Sequence, residues 1–147
     1  MRAYILNRYG GPDGSQLMDV PAPVPGPSDI LVNVRAAGLN PVDFKFRQGK
    51  LKVIYSPKLP FVLGNELAGE VAAVGSAVTR FKARAANVDY RYLFMHPSGS
   101  ELAELGDLIT QVRMKVIVDK AFPFAQMADA LAYVESGRAK GKVVVEM

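Results

Sequence analysis

Cysteine is absent from this chain of 147 residues, and histidine occurs once, at His96. Without thiols neither a disulfide nor a thiolate metal site can form, and one imidazole is too few for a typical catalytic zinc, which takes about three protein ligands. Long apolar runs are also absent, because stretches such as residues 61–63 and 143–145 are far shorter than the roughly 20 residues of a membrane-spanning helix. We therefore expect neither a metal centre nor a membrane protein.

The amino terminus shows no sign of an export signal, because Arg2 and Arg8 bring charge back before an apolar signal region can develop. The expected location is therefore cytoplasmic. The composition, 50% hydrophobic and 22% charged, is that of an ordinary globular chain with one domain or two small ones.

The net charge of +4 raises the question of a nucleic-acid partner. Such a partner would need lysines and arginines clustered with interleaved aromatic residues, whereas here they are scattered. Two groups are densest, at residues 45–52 and 138–142, and each can be a solvated face or a place for a phosphorylated cofactor. We expect no nucleic-acid partner.

Alternating apolar residues and chain breakers predict short strands with few helices. The predicted strands cover residues 1–7, 29–36, 71–78, 116–119 and 142–146. The glycine-rich segment 9–14 predicts a turn and not a dinucleotide loop, because no helix can follow it before the prolines of residues 21–27. Those prolines predict an extended connector.

The same patterns predict helices in three places. They cover a short segment from residue 41, residues 100–114 and residues 121–137. Pro41 supplies a fixed φ at a first helical position, with Asn40 as its cap, and Ser98 or Ser100 can cap the second helix. The apolar stripe of that second helix is expected in the core and consists of Leu102, Leu105, Leu108, Ile109 and Val112.

Three blocks carry the most information: AAGLNPVDFKFRQG at residues 36–49, LPFVLGNELAGEVAAVG at residues 59–75 and SGRAKGKVVV at residues 136–145. In the second block Glu66 stands among apolar residues, so a buried carboxylate there would need a partner. Together the blocks resemble medium-chain dehydrogenases/reductases, in the zinc-free branch of quinone oxidoreductases and reticulon-interacting-protein-like members.

This resemblance covers about the whole chain in two pieces. It implies a mainly β fold with helices (α+β), a GroES-like twisted partial β-barrel with two to three helices and no complete Rossmann domain. Residues 1–82 match the amino-terminal part of the catalytic domain, residues 83–114 match the end of the nucleotide-binding domain, and residues 115–147 match the carboxyl-terminal part of the catalytic domain.

The zinc ligands of related alcohol dehydrogenases are replaced in this chain. The position matching Asn40 is a cysteine ligand in those enzymes, and the position matching Asn65 is a histidine ligand in a Gly-His-Glu motif. Amides are weak zinc ligands beside thiolate and imidazole, so the resemblance implies a zinc-independent member.

The resemblance also implies site residues. Asn40 and Asp43 are the catalytic candidates; Arg47, Tyr55 and Asn65 are the substrate-lining candidates; Arg138 is the candidate for binding cofactor phosphate. Alternatives stay open for three of them, because Asn40 can be a helix cap, Asp43 a first-turn carboxylate facing the helix dipole, and Arg138 a solvated turn residue. His96 is interpreted as a loop residue.

The space between Lys82 and Val88 holds no βαβ unit, and no glycine-rich fingerprint for a nucleotide occurs elsewhere. The expected function is therefore the catalytic-domain portion of an NADPH-dependent quinone or alkenal oxidoreductase, with weak binding of NADP(H) and no activity alone. The alternative is a non-catalytic GroES-like scaffold or association module. Exposed sheet edges lead us to expect a homodimer, with segment exchange as one form of it.

Overall fold

The computed structural model describes residues 1–78, 88–90 and 99–147. His96, Ser98 and the junction after Lys82 lie outside the described residues. The strands are β1 (Arg2–Leu6), β2 (Ser15–Asp19), β3 (Ile30–Leu39), β4 (Phe61–Val62), β5 (Glu66–Val74), β6 (Val88–Tyr90), β7 (Val118–Pro123) and β8 (Lys142–Glu146). The helices are α1 (Pro41–Arg47), α2 (Gly99–Thr110) and α3 (Met127–Glu135).

The described strands form two sheets and do not close into a single barrel. The smaller sheet has the order β2-β1-β4, with β1 antiparallel to both neighbours. The larger sheet has the order β6-β5-β3-β8-β7. The fold is therefore a mixed α+β arrangement of two sheets and three helices, which confirms the expected class in outline.

Within the larger sheet, β3 is antiparallel to both β5 and β8, while β7 and β8 are parallel. Parallel strands need a crossover, and α3 supplies it between β7 and β8. Strand β6 extends the sheet by pairing antiparallel with β5.

The core lies between α3, β8 and β1. Met127, Ala130, Leu131 and Val134 of α3 are buried at positions that share one face of a helix, and Val143 and Val145 of β8 are buried at alternate positions of a strand; from β1 the core takes Tyr4 and Leu6. Each fully buried aliphatic side chain stabilises the fold by roughly 1.5–3 kcal/mol. This packing fixes α3 against the sheet.

Several predicted elements are confirmed by the structure, in part with shifted bounds. Strand β8 has the predicted bounds, whereas the strand predicted at 71–78 begins earlier, at Glu66, and ends at Val74. The helix predicted over 121–137 is wrong in its first part, because residues 121–123 belong to β7 and a 3-10 turn over Phe124–Gln126 precedes α3. Strands β2 and β4 were not predicted.

The interpretation of the α2 stripe as core is also wrong. Leu105 and Ile109 are exposed, and Val112, which lies beyond the end of the helix and has a φ of 58°, is exposed as well. The helical spacing was correct, but of the five residues only Leu102 and Leu108 are half-buried and none is fully buried. No helix among the described residues has the length and apolar character to cross a membrane.

Candidate functional site

One edge of the larger sheet gathers residues that are far apart in sequence. Because β3 is antiparallel to β5 and to β8, the carboxyl end of β3 lies beside the first residues of both neighbours. Gly38 pairs with Glu66 of β5 on one side, and Leu39 pairs with Val143 of β8 on the other. The residues that follow β3, precede β5 and begin β8 therefore meet at this edge.

Asp43 is the buried centre of this edge. Its Oδ2 accepts the backbone N–H of Asn40 at 2.7 Å, which is the return half of a capping box, and its Oδ1 accepts the side-chain amide of Asn65 at 2.6 Å. Asn40 has the extended backbone of a helix cap and Pro41 begins α1, as predicted. Three of the predicted site residues are thus joined by hydrogen bonds.

Burial raises the pKa of the Asp43 carboxyl above its ordinary value, because an ionised group loses solvation in this position. The hydrogen bonds from Asn40 and Asn65 act in the opposite direction by stabilising the carboxylate. The charge of Glu66 raises the pKa further and that of Lys142 lowers it. Asp43 is therefore a carboxyl whose protonation depends on its neighbours.

Lys142 joins this group and was missed as a site residue. Its Nζ donates to Asn40 Oδ1 at 2.7 Å and lies 2.5 Å from Glu66 Oε2. The only signal in the sequence was Glu66, a carboxylate among apolar residues that would need a partner if it were buried. Its side chain is in fact 41% exposed, and Lys142 pairs with it. The ammonium group has donors only, so it fixes the amide of Asn40 with its oxygen toward Lys142.

Gly38 gives the ion pair the space that it occupies. A Cβ at this position would lie 2.6 Å from Glu66 Oε2 and 2.7 Å from Lys142 Cε, both closer than van der Waals contact. The two charged side chains thus meet directly over the backbone of β3.

A cleft of about 390 Å³ opens beside this group. Its lining comprises Leu39, Asn40, Pro41, Val134, Gly137, Ala139, Gly141, Lys142 and Val143. Apolar side chains from β3, α3 and β8 form most of the wall, whereas Asn40 and Lys142 supply polar groups. An apolar cleft with few polar groups is typical of a small-molecule site.

The remaining predicted site residues lie outside this hydrogen-bonded group. Arg47 is buried at the other end of α1, where its Nη2 is 2.6 Å from the carboxylate of Glu135. Tyr55 is exposed and packs on Phe46, with 5.6 Å between the ring centroids. Arg138 is exposed between two residues that line the cleft. Their roles toward substrate and cofactor stay predictions.

The residues at this edge do not fit a zinc ion. The two positions that match zinc ligands in related dehydrogenases are Asn40 and Asn65, and the amide oxygen of Asn40 already accepts from a cation. Among residues 1–78, 88–90 and 99–147 no group of three or more His, Cys, Asp or Glu side chains could hold a metal ion.

The described residues do not fit a nicotinamide nucleotide on their own either. A nucleotide platform needs several βαβ units with a phosphate-binding turn. The part of the chain that the structure describes has one such unit, β7–α3–β8, and the apolar face of its helix is buried in the core. Arg138 is the one predicted phosphate ligand among these residues.

The family model and the related sequences that match this chain agree on one family of proteins. The zinc-binding dehydrogenase family matches residues 47–145. A chloroplastic quinone-oxidoreductase homolog of Spinacia oleracea is 38% identical over 105 residues, which is 71% of this chain and 31% of that protein. A chloroplastic NADPH-dependent alkenal/one oxidoreductase of Arabidopsis thaliana is 36% identical over 140 residues, 92% of this chain and 36% of that protein.

The chain thus spans about a third of the length of these two relatives. In fold it is similar to the quinone oxidoreductase of Coxiella burnetii, with a TM-score of 0.82 at 14% identity, over 100% of this chain and 99% of that one. The match to the family over residues 47–145 shows that the chain belongs to the zinc-binding dehydrogenases of the medium-chain dehydrogenase/reductase superfamily, in their quinone oxidoreductase branch.

Proposed function

We propose that the chain is the catalytic-domain portion of a zinc-independent, NADPH-dependent oxidoreductase that acts on quinones or other α,β-unsaturated carbonyl compounds. The observation that supports this most directly is the hydrogen-bonded group of Asn40, Asp43 and Asn65 beside the cleft. Its two amides stand where zinc-dependent relatives have metal ligands. The choice of NADPH follows one relative, whose name specifies it.

In this proposal Asn40 hydrogen-bonds the reacting oxygen of the acceptor. Because Lys142 occupies the amide oxygen, the NH₂ group of Asn40 is left to donate. Asp43 holds α1 and Asn65 in place through its two accepted hydrogen bonds, which makes it a positioning residue. Tyr55 and Arg47 are the further candidates for lining the acceptor site.

We also propose that residues 1–82 and 115–147 form the catalytic part and that residues 83–114 are a remnant of a nucleotide-binding domain. Hydride transfer needs the cofactor, because the cofactor supplies the hydride and the protein only binds and orients it. Arg138 would contact its phosphate, but a single arginine on an exposed turn is a poor substitute for a phosphate cradle. The chain alone should therefore bind NADPH weakly and turn over no acceptor.

Two measurements on the purified chain test this. An NADPH titration followed by ¹⁵N-resolved NMR should show no submicromolar binding, and NADPH oxidation with cyclohex-2-enone should not exceed the rate without protein. Cyclohex-2-enone should nevertheless shift the amide signals of Asn40 and Asn65. Rapid NADPH oxidation would overturn the proposed inactivity, and an enone that shifts no signal at the cleft would overturn the site.

A second candidate function is association without catalysis. Ile109 of α2, Ile117, and Val118 of the edge strand β7 are exposed apolar residues among the described ones, and such surfaces favour contact with another chain. We propose a homodimer that covers some of these exposed residues, with segment exchange as one form. Light scattering would give its mass, and a monomer at millimolar concentration would reject it.

The cytoplasmic location stays a prediction, because both relatives named above carry the word chloroplastic in their names. Fluorescence microscopy of the tagged chain in its own cells tests it. A signal confined to an organelle would contradict the prediction.

A further inference from the structure

Lys142 makes two side-chain contacts beside the cleft. Its Nζ donates to Asn40 Oδ1 at 2.7 Å and pairs with Glu66 Oε2 at 2.5 Å. The side chain is nevertheless 32% exposed, and it lines the cleft. A lysine with four rotatable bonds is usually mobile at a surface, so these two contacts restrict where its charge can lie.

An ammonium group has three N–H donors. Asn40 and Glu66 take two of them, and among the described residues no third acceptor contacts Lys142. The third donor is therefore available to a molecule in the cleft. Because the group is partly withdrawn from water, an oxygen atom that binds there meets a charge that is less screened than one at the surface.

The neighbouring residues favour a carbonyl oxygen at this point. The cleft wall is mostly apolar, and the amide of Asn40 presents its NH₂ group because its oxygen faces Lys142. Two donors, one neutral and one cationic, thus belong to the lining of the same mostly apolar cleft. A carbonyl oxygen accepts two hydrogen bonds, whereas an alkyl or aromatic ring fits the apolar wall.

We infer that Lys142 is a binding residue for the acceptor, donating a hydrogen bond to the same carbonyl oxygen that Asn40 contacts. Glu66 then serves as the positioning residue that holds the ammonium group in the cleft. The identity of the acceptor as an unsaturated carbonyl compound rests on the proposed function, but the availability of the third donor does not. The same donor would be the nearest positive charge to an oxygen that becomes anionic.

The test is a titration of the chain with cyclohex-2-enone, followed by ¹⁵N-resolved NMR. The absence of cysteine removes the thiols with which enones react, so reversible binding can be measured. Lys142→Met removes the donors with little loss of volume, and Lys142→Arg keeps a cationic donor. Lys140→Met is the matched control, since it removes the same charge from an exposed position two residues earlier.

We expect Lys142→Met to weaken enone binding by about tenfold or more, the lower limit of what a hydrogen bond from a charged donor contributes. Lys140→Met should bind like the parent chain, and Lys142→Arg should retain more affinity than Lys142→Met. Glu66→Gln should weaken binding by a smaller factor than Lys142→Met, because the lysine remains but is held less firmly.

The outcomes separate this inference from the proposed function. If the parent chain does not bind the enone at the cleft, the proposed function fails. If the parent binds it and a folded Lys142→Met variant binds equally well, the function stands and the role of Lys142 is overturned. The backbone spectrum of each variant reports whether it is folded. If Lys142→Met does not fold, the enone affinities of Lys142→Arg and Glu66→Gln decide, and a Glu66→Gln variant that binds as tightly as the parent overturns the role of Lys142.

Discussion

The ion pair between Arg47 and Glu135 joins α1 to α3, and its two members should respond very differently to substitution. The Arg47 side chain is 1% exposed and that of Glu135 is 33% exposed, with 2.6 Å between Nη2 and Oε2. Among the described residues, Arg47 Nε and Nη1 have no hydrogen-bond partner. The guanidinium charge therefore depends on this one carboxylate.

Glu135→Gln removes the carboxylate charge and leaves the buried guanidinium uncompensated. Breaking a buried pair in this way costs about 3–5 kcal/mol when both partners are buried. Two effects reduce that figure. Water already reaches Glu135, and a negative charge at the last residue of a helix is itself unfavourable by about 0.3–1 kcal/mol. We expect a loss of about 2–3 kcal/mol in the free energy of unfolding.

Arg47→Met removes the buried charge and keeps most of the volume. Glu135 is then solvated by the water that it already contacts, so the free energy of unfolding should fall by less than about 1 kcal/mol. The double variant should resemble Arg47→Met alone, since Glu135 no longer has a buried charge to neutralise.

The assay is urea denaturation followed by far-ultraviolet circular dichroism. Glu104→Gln, the same change on the exposed surface of α2, is the control and should alter stability by no more than about 0.5 kcal/mol. A cost for Arg47→Met equal to or above that for Glu135→Gln would refute the reasoning. It would mean that packing or hydrogen bonds of Arg47 stabilise the fold by more than the burial of its charge destabilises it.

Three further predictions follow from the site. The pKa of Asp43 in the folded chain lies above its ordinary value of 3.8. The stability that protonated Asp43 contributes is therefore complete below pH 3.8 and is lost as the pH rises through the folded pKa. In urea denaturation, the free energies of unfolding of Asp43→Asn and of the parent chain should therefore converge at acidic pH. Carbon NMR titration should find that Lys142→Met raises the pKa of Asp43 and that Glu66→Gln lowers it, and the reverse signs would contradict the assignment of charges. Gly38→Ala should displace the ends of the Glu66 and Lys142 side chains and, because both are flexible, should cost no more than about 1 kcal/mol. Gly106→Ala in α2, with nothing within 4 Å, should instead stabilise by roughly 0.5–1 kcal/mol, and equal effects in denaturation would contradict the crowding at Gly38.

Local signals in the sequence were sufficient for some elements. The dipeptide Asn40-Pro41 specifies the start of α1 through a cap and a fixed φ, and both act within one turn. The alternation at residues 142–146 specifies β8, because Val143 and Val145 enter the core while their neighbours do not. These predictions depend on contacts between near neighbours in the chain.

Other elements depend on what packs against them. Residues 121–123 were assigned to a helix because Pro123 and Gly137 are typical of a helix start and end, yet they extend β7 beside β8, a pairing that no local pattern reveals. Strand β2 was missed because most of its side chains are exposed and show no apolar alternation. The stripe of α2 has helical spacing, but burial needs a covering layer, and sequence spacing carries no information about that layer.

The candidate site shows the same division between near and distant residues. The contacts among Asn40, Asp43 and Asn65 involve residues that lie in or next to the recognisable blocks, so the resemblance was enough to name them. Lys142 is 102 positions from Asn40 and looked like one of several solvated cations near the carboxyl end. Only the order β5-β3-β8 places it opposite Glu66, with both side chains over Gly38. Since that lysine contacts the oxygen of the Asn40 amide and leaves its NH₂ group to donate, the donor proposed for Asn40 depends on a strand order that could not be predicted from any single segment.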